Sequence, residues 1–141
     1  MHFPKTGLLC TKDNLARLIK KNQTIFGSVY DFIPTTYCLP NEYKQFLEQF
    51  MRGIESGKKD SIWICKPTDL SRGRGISVIN NLDDLRYEQQ SVIQEYIKPY
   101  LIRGTKWDLR VYVLITQMKP LKLYIYREGI VRFSSDRYDT S

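Results

Sequence analysis

The chain has 141 residues, 42% hydrophobic and 13% aromatic, enough for one globular domain with a real core and too few for two. Its +7 charge, from 22 Lys+Arg against 15 Asp+Glu, implies attraction to nucleic acid, phosphates, an anionic membrane or an acidic peptide, without choosing among them. No apolar stretch approaches a membrane span and the start Met1-His2-Phe3-Pro4-Lys5 is no secretory signal, so a soluble intracellular protein is expected.

Cys10, Cys38 and Cys65, with the single His2, supply neither a disulfide framework nor a zinc site, and read as buried or neutral thiols. Thr11 or Asp13 can cap a helix in which Leu15, Leu18 and Ile19 share a face opposite Lys12, Arg17 and Lys20-Lys21. Residues 28–39 read as extended and aromatic, with Tyr30, Phe32 and Tyr37 around Pro34. Pro40-Asn41-Glu42 opens a second helix whose Tyr43, Phe46, Leu47, Phe50 and Ile54 recur at intervals of three and four, a core stripe. Gly53 to Asp60 is a short polar break, too brief for a domain linker.

Ile62-Trp63-Ile64-Cys65-Lys66-Pro67 reads as a strand ending in a lysine, Ser71-Arg72-Gly73-Arg74-Gly75 as a glycine-arginine loop, and Ile76 to Ile79 as a second strand. Glycines 73 and 75 permit positive φ and close backbone approach, while Lys66, Arg72 and Arg74 supply charge, which suits a nucleotide triphosphate. Taken alone, the loop also suits a solvated turn or a basic nucleic-acid-binding tip. Asn81 to Leu85 suggests a short helix with acids in its first turn, and Val92 to Ile97 a buried strand stopped by Pro99.

From residue 106 to 115, Trp107, Leu109, Val111, Val113 and Ile115 alternate with Lys106, Asp108, Arg110, Tyr112 and Leu114. The pattern predicts one strand with a core face, and an opposite face that either lines a polar cleft or carries a surface ion pair. Leu121 to Arg127 is expected to turn at Glu128-Gly129 into Ile130 to Phe133, a hairpin with Arg127 at its corner.

Lys66 at a strand end, Ser-Arg-Gly-Arg-Gly, Val-Ile-Gln-Glu-Tyr-Ile, Lys-Trp-Asp-Leu-Arg-Val-Tyr-Val-Leu and Tyr-Arg-Glu-Gly-Ile-Val-Arg, in that order, closely resemble the tubulin–tyrosine ligase-like family. His-Phe-Pro-Lys near the start and residues 32–40 resemble it too. The resemblance implies a mixed α/β ATP-grasp fold. Residues 1–98 would be the N-terminal and central subdomain, with a phosphate hairpin at 62–79 and an adenine hinge at 92–97, and residues 99–141 an incomplete start of the C-terminal subdomain.

It further implies an ATP-dependent ligase that joins an amino acid to tubulin or another acidic protein through an acylphosphate. Lys66 would bind the α- and β-phosphates, Ser71, Arg72, Gly73, Arg74 and Gly75 would close over the triphosphate, and Gln94, Glu95, Tyr96 and Ile97 would meet adenine. Lys106, Asp108, Arg110 and Arg127 would face the reaction centre, where fixed cations oppose charge building on phosphoryl and tetrahedral oxygens. Arg110 and Arg127 can grip such oxygens with two-point geometry, and Asp108 would orient a neighbouring cation or the incoming amine.

Magnesium would need the family's later aspartate and glutamate–x–asparagine set, expected downstream of Ser141, because Asp136 and Asp139 do not fit it. The resemblance therefore implies a chain cut before its metal-binding half, inactive alone, with exposed strand edges around Phe133. Similarity to glutamylating members makes glutamate the expected amino acid, and the basic charge is consistent with acidic tubulin tails. Microtubules in the cytoplasm, including those of cilia or flagella, are the expected setting. The alternatives are a catalytically inactive relative that binds nucleotide or microtubules, and a basic nucleic-acid-binding domain, for which no recognisable RNA module is present.

Overall fold

Trp63, Cys65 and Pro67 alternate with Ile64 and Lys66, and in the strand that they form the first three are buried and the other two half-buried. The computed structural model describes residues 3–57, 62–86 and 89–139. They belong to a mixed α/β architecture with several antiparallel sheets. Where composition suggested one domain, the chain forms two units, Met1–Ile97 and Lys98–Ser141.

The first unit contains helices α1 (Gly7–Cys10), α2 (Lys12–Phe26) and α3 (Tyr43–Glu55), and strands β1 (Thr36–Leu39), β2 (Trp63–Pro67), β3 (Ser77–Ile79) and β4 (Ser91–Glu95). The strands form one sheet in the order β1-β4-β2-β3, antiparallel throughout. Their registers bring Leu39, Trp63, Cys65, Ile79 and Ile93 into one core with Phe46 and Phe50 of α3. Phe46 meets Trp63 edge-on at 5.2 Å and lies 5.7 Å from Phe50. Burying each such side chain contributes roughly 1.5–3 kcal/mol, so the stripe on α3 is core as its spacing predicts.

The opposite face of the sheet carries Thr36, Cys38, Val92, Gln94, Ile64, Lys66 and Val78, and α2 packs against its β1–β4 half through the cluster of Ala16, Cys38 and Val92. The helix departs from expectation. Its buried residues are Asp13, Ala16 and Ile19, while Leu15 and Leu18 are about 40% exposed at 39% and 41%. Burial pushes the Asp13 carboxyl up, but the Asn14 backbone N–H and Arg17, which donates to it at 2.8 Å, outweigh burial and hold it below its ordinary range. Lys20 also turns toward the sheet, donating to both Glu42 carboxylate oxygens at 2.8 and 2.7 Å and lying over the Tyr37 ring.

The segment expected to be extended from residue 28 begins instead with a 3₁₀ turn at Gly27–Tyr30. The turn at Leu82–Asp84 carries the acids expected there, with Asn81 and Asp84 forming a reciprocal cap. The polar break starts later than predicted, since α3 continues to Glu55, and its residues 58–60 lie outside the described set, as does His2. Cys38 and Cys65 are buried thiols pushed up by desolvation, whereas Cys10 is exposed.

The second unit contains strands β5 (Leu101–Ile102), β6 (Thr105–Arg110), β7 (Val113–Met118), β8 (Leu121–Ile125) and β9 (Ile130–Arg137). They form a three-stranded sheet β5-β6-β9 and a hairpin β7-β8. The strand predicted across residues 106–115 is thus two strands in two sheets, interrupted at Val111 and Tyr112. The predicted hairpin of residues 121–133 does not form, because β8 pairs with β7 while β9 returns to β6. None of residues 98–139 is buried, and the expected core face is open at Leu109 and Val113, 57% and 55% exposed. Alternation set the direction of the side chains correctly here, but burial depends on what covers the sheet.

Candidate active site

Period-two alternation in β2 aims Lys66 away from the aromatic core, onto the sheet face that α2 covers only in part. Its ammonium donates to Gln94 Oε1 at 2.8 Å, and the Gln94 amide donates to Thr36 Oγ1 at 2.8 Å. This relay fixes where the cation sits. Beside it lies a cavity of about 250 Å³ with Lys66, Gln94 and Lys12 as its charged and amide groups and Leu15, Ala16, Ile19 and Val92 among its apolar walls. Ile64 and Val78, directly opposed in the β2–β3 register, extend the same face, with Val78 50% exposed. They are a ready apolar wall for a flat ring, and sequence reading missed both because strand alternation alone does not show which face stays uncovered.

The connection from β2 to β3 holds the glycine-arginine loop. Arg72, Gly73 and Gly75 all have positive φ, at 60°, 78° and 67°, a curl that glycine tolerates and arginine adopts only under constraint. The Arg74 N–H donates to the Ser71 carbonyl at 3.3 Å and the Ile76 N–H to the Gly73 carbonyl at 3.4 Å. The Arg74 donor is therefore spent on a turn, and among the described residues the Ser71, Arg72, Gly73 and Gly75 N–H groups make no backbone bond and are available for an anion. Ser71 to Gly75 are exposed and border a cavity of about 530 Å³ that Cys10, Thr11 and Lys12 close from the α1–α2 junction. Lys12, placed by its spacing on the helix face opposite Leu15, Leu18 and Ile19, is half-buried and donates to the carbonyls of Pro67, Thr68 and Leu70 at 2.9, 3.4 and 2.6 Å.

Of the expected hinge, Gln94 acts through its side chain as described. The N–H of Glu95 donates to the Thr35 carbonyl and that of Tyr96 to the Ile62 carbonyl, both at 2.9 Å. Ile97 is 67% exposed, and its N–H is the hinge donor not taken up by a backbone bond among the described residues.

In the second unit Lys106, Asp108 and Arg110 share one face of β6, and Trp107 and Leu109 the other, facing Phe133 and Val131 of β9. Asp108 is paired across the strands with Arg132, whose Nε and Nη2 donate to its two carboxylate oxygens at 2.6 and 2.8 Å. This fork holds the Asp108 carboxyl below the usual carboxylate range. Arg132 was not singled out from sequence, although its place between Val131 and Phe133 in an alternating run was the available signal. The Lys106 ammonium lies over the Tyr138 ring at 5.9 Å. Arg127 is not at a hairpin corner but in the connection between β8 and β9, which belong to different sheets. In that connection Gly129 sits against the Arg110 main chain, where an added Cβ would lie 2.6 Å from the carbonyl oxygen.

Among the described residues, no group of three His, Cys, Asp or Glu side chains converges to hold a metal ion, and none of them is assigned to magnesium.

A model of the tubulin-tyrosine ligase family matches residues 1–141. A human protein named probable tubulin polyglutamylase TTLL2 is 43% identical over 143 residues, covering 99% of this chain and 24% of its own length. Mouse tubulin polyglutamylase TTLL7 is 39% identical over 97% of this chain and 15% of its own. A Tetrahymena thermophila protein named probable beta-tubulin polyglutamylase is 42% identical over 97% of this chain and 11% of its own. The chain thus spans about a quarter or less of the length of these relatives.

Proposed function

Since the chain belongs to the tubulin-tyrosine ligase family, we propose that it is part of an ATP-grasp ligase that attaches glutamate to tubulin, or to another acidic protein, through an acylphosphate. The observation that carries this reading is the pairing of an anchored Lys66 on an open sheet face with a following loop bent by three positive φ angles. Relatives named tubulin polyglutamylases support the amino acid and the acceptor.

In this reading Lys66, held by Gln94, opposes the α- and β-phosphates, and the Arg72, Gly73 and Gly75 N–H groups, with the Arg72 and Arg74 guanidinium groups, enclose the triphosphate. Ile64 and Val78 pack against adenine, and the Ile97 N–H meets its edge. Arg110 and Arg127 grip oxygens of the transferred phosphoryl group and the tetrahedral centre, with Lys106 as a point charge. Asp108 acts by holding Arg132. Magnesium would neutralise charge on the phosphates, and no described residue of this chain is assigned to hold it. Acidic tubulin tails suit the +7 charge, and microtubules of the cytoplasm, cilia or flagella are the corresponding setting.

The test is incorporation of labelled glutamate into tubulin by the full-length protein that carries this sequence. Lys66→Ala and Arg110→Ala are each expected to reduce it to background. Normal incorporation by either folded variant refutes the assigned role. Microtubule association without incorporation under any nucleotide condition identifies an inactive binding relative instead.

A further inference from the structure

We infer that Lys12 is a positioning residue for the glycine-arginine loop, setting the loop's shape before any nucleotide arrives and touching no phosphate itself. The inference rests on the reading of that loop as a triphosphate site.

An ammonium group has three N–H donors and no acceptor. All three donors of Lys12 are taken up by main-chain carbonyls, those of Pro67, Thr68 and Leu70, at 2.6–3.4 Å. The three oxygens come from the four residues that leave β2 and lead into the loop. Carbonyls converging on one point repel one another unless a cation sits between them, so this curl of the chain depends on the lysine. Thr68 pins the other side, its N–H and hydroxyl both donating to the Gln90 carbonyl at 3.0 Å.

The hold passes to the loop by direct packing. Gly75 sits so close to Pro67 and Leu70 that an added Cβ would meet their side chains at 3.0 and 3.2 Å. Two residues whose carbonyls Lys12 grips are therefore the surface on which the loop's last glycine rests. Lys12 also lines both the cavity under the loop and the cavity that contains Lys66. Helix α2 thereby tethers the loop to the sheet through one side chain.

The experiment compares Lys12→Met, which keeps the apolar stem and removes the donors, with Lys21→Met, an exposed lysine on the same helix, in the full-length protein. Amide hydrogen exchange is followed without nucleotide, and ADP and adenosine affinities are measured alongside. Lys12→Met is expected to raise exchange of the hydrogen-bonded amides of this segment, those of Thr68, Arg74 and Ile76, about tenfold or more while β1 and β4 stay protected. ADP affinity should fall about tenfold with adenosine affinity unchanged, because the loss concerns phosphate contacts only. Lys21→Met should change neither.

Unchanged loop exchange in Lys12→Met overturns the inference, as does weaker ADP binding with a loop as protected as in wild type, which makes Lys12 a direct phosphate ligand. Loss of protection across the whole sheet overturns it too, since the lysine then supports the fold at large. Where Lys12→Met does not fold, Lys12→Arg serves: its planar fork cannot match three converging oxygens, so raised loop exchange is expected and native exchange refutes. Failure of wild type to bind ADP at all refutes the triphosphate reading separately, and the exchange data then still decide whether Lys12 shapes the loop.

Discussion

Under the proposed ligase function, replacing Gly129 with alanine is expected to slow glutamate incorporation by the full-length protein about ten- to a hundredfold, although no polar group of the candidate site is altered. A β-carbon at this position meets the Arg110 carbonyl oxygen at 2.6 Å. Reaching even a tight 3.0 Å contact requires about 0.4 Å of separation, and an ordinary 3.4 Å contact about 0.8 Å. The obstructing atom is main chain, so no rotamer change relieves it. The β6–β9 ladder must open at its Arg110–Ile130 end, and Arg110 moves with its backbone.

Displacement by about 1 Å near a reaction centre costs on the order of a hundredfold in rate, and overpacking of this kind about 1–3 kcal/mol of stability. The assay is steady-state incorporation of labelled glutamate, with nucleotide titration and thermal unfolding of the same preparation. The expected pattern is a lowered kcat with nearly unchanged ADP affinity, since the groups assigned to adenine and to the α- and β-phosphates are untouched. A folded Gly129→Ala protein with wild-type kcat refutes the placement of Arg110 at the reaction centre or the tightness of this contact.

If Asp108 acts by holding Arg132, then Asp108→Ala and Arg132→Ala should each lower kcat by a similar factor, about tenfold or more, and the double variant should lose no more than either; multiplicative losses in the cycle refute the coupling. Glu42 gives a pH-dependent prediction. Burial raises its pKa, but the Lys20 ammonium and the Cys38 N–H, which donates to it at 2.6 Å, outweigh burial and hold it below its ordinary value. A lowered folded-state pKa stabilises above the unfolded-state pKa, and that stability is lost as pH falls through the folded value. Glu42→Gln should therefore cost about 1–2 kcal/mol in urea unfolding at pH 7 and progressively less as pH falls through the acid range below the unfolded-state pKa, and a cost independent of pH refutes the assignment.

The parts of the fold most legible from sequence are those whose period decides their burial. Phe46 and Phe50 are core on α3, and Trp63 and Cys65 are core on β2, because residues on one side of each element have only one place to go. Period fails where a second surface competes. On α2 the larger Leu15 and Leu18 stay partly exposed while Asp13 and Ala16 are buried, because the small Ala16 lets the helix approach Cys38 and Val92 and Asp13 brings its own hydrogen-bonding partners.

Strand pairing was the least legible feature. Residues 121–133 have turn chemistry for a hairpin at Glu128-Gly129, but the actual partner of β9 is β6, a non-local choice that local turn signals do not encode. In the candidate site, Lys66 and the glycines of the loop announced themselves by residue type. Lys12, Gln94 as a side-chain relay and Arg132 did not, since each works by reaching a group far along the chain.

The β1–β4 pairing has a consequence for how the protein is made. Strand β4 lies between β1 and β2, and its register joins Leu39 to Ser91 and Thr36 to Gln94. On a ribosome adding roughly 5–20 residues per second, β1 then waits about 3–10 s for its neighbour to be synthesised. The β2–β3 ribbon can close on its own in that interval, but the aromatic cluster around Phe46 lacks Ile93 until the central strand emerges. The nascent chain thus carries sticky, unpaired backbone through most of this synthesis, a window in which chaperone engagement matters more for yield than the stability of the finished sheet.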